Sequence, residues 1–318
     1  MRKKTLLSII IFSLTFTSLY FAYFKIKNIL SRSDALSISK ILEKDRPNMT
    51  IDSFTLQETE GDLLDWTLNA EKAHMFKNKN QIVFESVKTD IFSKETKEEE
   101  YKISSKKGLY NINEDRIILE DSVVIRTATG YEFLTDKVTY MVQAKSLDSK
   151  SRVSVTGQLD KQGLIKISGK GLDGSLQSGD FGITNDVFAS VGKQFRIESE
   201  EAVFNINTSV ARFMKKVSAL KEDLRIKGDE LELSYTSDGE IESIVVSRNV
   251  RLNIDKKKAL CEKAVISSQE NMVELTGRPE LHIGKDIMVG QKIIFFTDKD
   301  EVYVKKAKGD VQQKGAKR

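Results

Sequence analysis

Beyond residue 50 the chain repeats one short pattern. An apolar residue is followed by any residue, a small one, two or three charged ones, an apolar residue, any residue, then an aromatic or large apolar one. Residues 195–205 (FRIESEEAVFN) are a clean copy. Aligned on the first apolar residue, copies begin at Leu68, Ile103, Phe133, Ile167, Ile197, Ile226, Leu260 and Val289. Two places on stand Ala70, Ser105, Thr135, Gly169, Ser199 and Gly228, giving way to Glu262 and Gln291. Seven places on stand Met75, Tyr110, Tyr140, Phe204, Leu233 and Phe296, with Gly174 and Ser267 as exceptions. Self-similarity at a period of roughly 30 residues marks a stack of small supersecondary units.

The first two apolar positions lie an even number of residues apart and share one face of a strand. The last two share a face with each other but have the opposite parity. One extra residue in the charged step returns both pairs to the same side, which is what a β-bulge does. Each unit is therefore predicted as a bulged strand, a turn and a second strand. The second strands alternate as well: Ile117-x-Leu119, Val123-x-Ile125, Ile244-x-Val246, Val250-x-Leu252, Val273-x-Leu275 and Leu281-x-Ile283. Turn chemistry follows them at Asn111-x-Asn113-Glu-Asp, Thr236-Ser-Asp-Gly239 and Thr297-Asp-Lys-Asp300. No long window after residue 50 has helical spacing. Two prolines in 318 residues suit a continuously bonded sheet, because proline cannot donate to a ladder. The predicted fold class is all-β.

The N-terminus departs from this pattern. Residues 5–24 carry no charge and follow Arg2, Lys3 and Lys4; as a helix, some twenty residues span about 30 Å, a hydrocarbon core. A cleaved signal would need small residues where Tyr20, Phe21, Tyr23 and Phe24 stand. Residues 1–27 are expected to be a cytoplasmic N-terminus and uncleaved anchor, and 28–48 a polar tether. Five glycines fall between Ser168 and Gly182 and place a boundary near residue 190, between modules at 49–190 and 191–311; 312–318 form a basic tail. The glycines include a literal G-x-G-x-x-G at 169–174, but no helical pattern follows, so a dinucleotide site is not supported.

Chemistry is sparse. A formal charge of +4, spread along the chain, argues against a nucleic-acid partner. His74 and His282 stand far apart, and the lone Cys261 excludes an internal disulfide. No nucleophile elbow, phosphate loop or metalloprotease motif occurs, so the expectation is no catalytic residues, no metal, no cofactor and no enzyme activity.

Several motifs in order resemble a known family. Trp66-Thr-Leu-Asn-Ala-Glu-Lys-Ala73, the run Leu119-Glu-Asp-Ser-Val-Val-Ile125 through Tyr131-Glu-Phe-Leu-Thr-Asp-Lys-Val-Thr-Tyr140, Val153-Ser-Val155 and Ile167-Ser-Gly-Lys-Gly-Leu-Asp173 resemble LptC. Ile197-Glu-Ser-Glu-Glu-Ala-Val-Phe204, Leu224-Arg-Ile-Lys-Gly-Asp-Glu-Leu231 and Leu275-Thr-Gly-Arg-Pro-Glu-Leu-His-Ile-Gly284 are similar to the related LptA/OstA module. The resemblance implies two stacked half-open β-jellyrolls after one transmembrane helix. It also implies a single-pass inner-membrane protein with its bulk in the periplasm. The implied ligand is lipopolysaccharide, its acyl chains held in an apolar groove. The groove would be lined by Phe84, Tyr110, Phe133, Tyr140, Ile167, Ile197, Phe204, Phe213, Ile226, Leu233, Ile244, Leu252, Leu275 and Phe296. Implied partners are the inner-membrane ABC transporter complex and an LptA-like bridge or outer-membrane translocon. They would meet the edge strands carrying Ile51, Phe54 and Leu56 at one end and Val302 and Val304 at the other. Periodicity alone favours the alternative, a structural or adhesive exported β-repeat protein with a closed core and no lipid cargo; the resemblance is what points to a lipid path.

Overall fold

The computed structural model describes residues 37–93, 95–159, 163–192, 195–236, 241–267, 269–299 and 301–306. The expected anchor at 5–24, the turn at 237–239 and the tail at 312–318 lie outside them. Among the described residues no helix is long and apolar enough to cross a membrane. The chain divides into two units, Met1–Met49 and Thr50–Arg318. In the first, a short helix, α1 (Ile38–Lys44), occupies part of the expected tether and buries Ile38 and Ile41, one turn apart.

The described residues of the second unit form antiparallel strands joined by turns and two single 3-10 turns, Lys77–Lys79 and Ile112–Glu114. Its first half holds β1 (Met49–Glu60), β2 (Leu63–Phe76), β3 (Gln81–Phe92), β4 (Glu99–Asn111), β5 (Arg116–Thr127), β6 (Tyr131–Met141), β7 (Ser146–Leu159), β8 (Gly163–Ser175) and β9 (Asp180–Val191). The second half holds β10 (Phe195–Ser199), β11 (Glu201–Asn205), β12 (Val210–Lys221), β13 (Leu224–Tyr235), β14 (Ile241–Ile254) and β15 (Lys257–Ser267). It ends with β16 (Met272–Thr276), β17 (Glu280–Ile283), β18 (Asp286–Val289), β19 (Lys292–Phe296) and β20 (Val302–Lys305). From β2 to β9 and from β12 to β15 each strand pairs with the next, and β9 pairs with both β10 and β11, so the ladder is unbroken at residue 190.

The charged step is where the strands bend. Register shifts fall at Ser104/Lys107 against Glu120/Val123, at Met214/Val217, and at Lys227/Glu230 against Ser247/Val250. The second strand of each pair bends too, on residues held at positive φ: Asp121 and Ser122, Lys215 and Lys216, Arg248 and Asn249. Opposite charges meet along this line, as in Lys107–Asp121, Lys137–Glu120, Lys216–Glu200, Arg248–Glu230 and Arg278–Glu262. Such mostly exposed pairs each contribute little to stability, but their alternation penalises a slipped register, because like charges would then face each other.

This line is a seam that divides each long strand into two segments and falls between the short ones. Segments 66–70, 87–91, 101–105, 123–127, 131–135 and onward to 286–289 pair among themselves as half-sheet A. Segments 72–76, 81–85, 107–111 and onward to 302–305 pair as half-sheet B. The halves face one another: Phe133 of A lies 4.6 Å, ring centre to ring centre, from Phe181 of B. Their strands stand three ladder steps apart, which in a flat sheet would separate them by about 14 Å. Every inward side chain from Trp66 to Phe295 joins one apolar core.

The inward register matches the repeat for the six copies from Leu68 to Ile226, then slips by one. Leu260 is 44% exposed and Val289 39% exposed, while Ala259, Cys261, Ala264 and Ile266 face the core. In the last copy Met288, Ile293 and Phe295 take the inward positions. Both steps offer apolar residues of either parity, and pairing with β16 and β17, whose Leu275 and Leu281 are fully buried, selects the set that meets them. The expected inward position of Phe296 is thereby corrected. Its ring lies on the opposite face, edge-on to Tyr303 and beneath the Lys299 ammonium.

Candidate functional site

The fold gathers the predicted lining into one interior. Phe84, Phe133, Tyr140, Ile167, Ile197, Phe204, Phe213, Ile226, Leu233, Ile244, Leu252 and Leu275 are all buried in the shared core. Tyr110 packs against it half-buried and donates its hydroxyl to Asp115 Oδ1 at 2.9 Å. Burial, then that carboxylate, push its pKa up to about 12. Phe54 and Leu56 of β1 and Val302 and Val304 of β20 also pack on the core from the two ends. Ile51 is half-buried in β1.

At the middle of the interior sits a cluster the repeat did not announce. Phe133, Phe181 and Phe204 stack within 6.1 Å of one another, and the Tyr131 ring lies 6.5 Å from Phe204. Phe181 fills the slot left by Gly174, the position where the repeat calls for an aromatic. The two residues are register partners, and a Cβ on Gly174 would come within 2.4 Å of the Phe181 ring. The glycine in an otherwise bulky column was the available signal for this exchange.

Opposite the seam the two half-sheets end in turns, and these lips are held together in the first half and where it meets the second. Lys145, in the turn before β7, pairs with Asp65 of β2. The Tyr101 hydroxyl donates to Leu176 O at 3.0 Å. The hydroxyls of Tyr131 and Tyr235, 104 residues apart, meet at 2.9 Å. Burial pushes Tyr101 up to about 12 and drives Tyr235 and Tyr140 upward as well. Nearby a pocket of about 430 Å³ opens between the lips at Phe92, Ser93, Gln143, Lys145 and Leu176. In the second half a pocket of about 410 Å³ lies between Lys221–Leu224 and Asp255 on one lip and Asn271 and Asp298 on the other.

The remaining polar candidates have local roles. His74 bridges Thr50 and Glu85, and His282 contacts Glu280. Cys261 faces the core, and burial pushes its thiol up to about 11. Among the described residues no group of three or more His, Cys, Asp and Glu side chains is placed to hold a metal.

Comparison with known proteins divides the chain at the same place where β9 passes to β10. Residues 9–192 match the family model described as lipopolysaccharide-assembly, LptC-related, and residues 196–301 match that of the LptA/(LptD N-terminal domain) LPS transport protein. No curated protein matches the chain significantly. Among solved structures, LptH, described as the LptA homologous periplasmic component of the lipopolysaccharide transport device of Pseudomonas aeruginosa, is 16% identical. That match covers 39% of this chain and 90% of LptH, with a TM-score of 0.34.

Proposed function

Because the chain belongs to the LptC-related family of lipopolysaccharide-assembly proteins, we propose that it is an anchored periplasmic bridge. In this reading it holds lipopolysaccharide by its acyl chains between half-sheets A and B. It passes them from the inner-membrane ABC transporter complex toward an LptA-like bridge or the outer-membrane translocon. The observation that carries the reading is the single apolar core that runs past residue 190, from the part matching LptC into the part matching LptA. Each methylene of an acyl chain moved from water into such an interior gains about 0.8 kcal/mol. Transfer between neighbouring stretches of similar lining is then nearly isoenergetic, so direction must come from the partner that hydrolyses ATP.

The proposed organisation is a cytoplasmic N-terminus and membrane anchor (1–27), a tether (28–48), two stacked half-open modules (49–190 and 191–311) and a tail (312–318). The anchor would put residues beyond it in the periplasm. β1 would meet the transporter and β20 the next carrier, each by strand addition, since among the described residues β1 is paired with β2 and β20 with β19.

The test is photo-crosslinking in cells from a benzophenone side chain at Phe204 and at Tyr140. Labelling of lipopolysaccharide at both positions is expected; labelling at neither sinks the lipid path. It would leave the second reading, a structural β-repeat protein with a permanently closed core. The close packing of Phe133 on Phe181 favours that alternative.

A further inference from the structure

We propose that the Tyr131–Tyr235 hydroxyl pair is a latch across the mouth of the interior, which must open for an acyl chain to pass from the first half to the second. The inference rests on the lipid reading above and names the point in the path where passage is controlled.

Tyr131 begins β6 in half-sheet A, and Tyr235 ends β13 in half-sheet B. Six ladder steps separate those strands, about 29 Å along a flat sheet, yet the hydroxyls touch at 2.9 Å. The contact therefore exists only while the lips are together. Both side chains are buried, so each hydroxyl depends on the other for a partner. It ties a strand of the LptC-like part to a strand of the LptA-like part. The Phe133–Phe181–Phe204 cluster lies directly beneath, with Tyr131 against Phe204. A chain cannot lodge among those three rings without parting the half-sheets, and parting them separates the hydroxyls. A glycolipid offers a replacement: the ester and amide carbonyls where acyl chains join the sugar accept hydrogen bonds from a tyrosine. The latch must therefore break before the chain enters, and its hydroxyls find a lipid partner only once the chain is in place.

The experiment uses the full chain and its Tyr131→Phe, Tyr235→Phe and doubly substituted forms. Association of fluorescently labelled lipopolysaccharide is followed by stopped flow, alongside thermal melts. The double variant keeps both rings and leaves no orphaned hydroxyl, so its fold is expected to survive even if a single variant is weakened. Association should accelerate about fivefold, roughly the factor one net hydrogen bond controls. The double variant should gain no more than the better single one, because one bond is removed in all three. Equal rates in wild type and a folded double variant overturn the latch while leaving the lipid path intact. A lowered melting temperature with unchanged association makes the pair purely structural and also overturns it. Wild type that neither binds the probe nor crosslinks from Phe204 removes both the latch and the path.

Discussion

The two halves of the sheet solve the same problem differently. From β2 to β9 each strand runs through the seam intact, 11 to 14 residues long, and bends on its bulge. Beyond residue 191 the seam cuts three strands outright: β10 from β11 at Glu200, β16 from β17 at Gly277–Pro279, and β18 from β19 at Gly290–Gln291. Pairing survives the cuts, since Glu200 N–H still donates to Lys215 O and Glu262 N–H to Gly277 O. Both halves keep an apolar inward face on each side of the seam, so the interior does not need a continuous backbone across it. What it needs is the parity change that the seam imposes. At the C-terminal end the cuts release the half-sheets from each other, and A stops at β18 while B continues to β20.

That difference can be broken at its free end. Phe296 N–H donates to Glu301 O, so alternation along the ladder turns the N–H groups of Val302 and Val304 toward the unpaired edge. Val302→Pro is expected to abolish capture of a downstream strand-adding partner in a pull-down while leaving the melting curve unchanged. Unaltered capture would show that β20 is not the docking edge.

Next in size is the cooperativity of the two halves. Phe133→Ala and Phe213→Ala each empty a fully buried aromatic site and should cost about 3–5 kcal/mol in urea unfolding. With one shared core, either variant is expected to shift a single transition. Two transitions, each moved by only one variant, would mean that the halves fold separately. The register at the last copy gives a sharper contrast between neighbours. Phe295→Ala should cost about 3–5 kcal/mol, and Phe296→Ala about 1 kcal/mol or less. Equal losses would refute the slipped register.

The smallest effect is alkaline. Cys261, raised to about 11, and Tyr101 and Tyr110, raised to about 12, stay protonated in the fold after the unfolded chain has begun to lose those protons. The unfolded state then binds fewer protons, so stability falls as pH rises from about 9 toward 11. Urea midpoints measured between pH 8 and 11 should decline, with tyrosinate absorbance appearing at unfolding. A flat profile would place these side chains in water.

Much of this was legible in the chain because strand parity is a local rule. Ile197, Ser199, Ala202 and Phe204 announce an inward face and a bulge without reference to anything distant, and all four are buried in the fold. Leu260 and Val289 depart from the rule because apolar residues stand there on both parities and only the neighbouring strand breaks the tie. Phe181 lies beyond any local rule, because the aromatic that belongs at Gly174 comes from its partner across the ladder.

The sequence by itself determined the all-β class, the period, the seam and the inward column of each copy through the Ile226 repeat, since these follow from side-chain alternation within about ten residues. Only the tertiary structure decided which strand of A lies over which strand of B. That offset accumulates from the twist of every intervening pair, a sum no short window contains. It is what brings Tyr131 to Tyr235, Lys145 to Asp65 and Phe133 to Phe181.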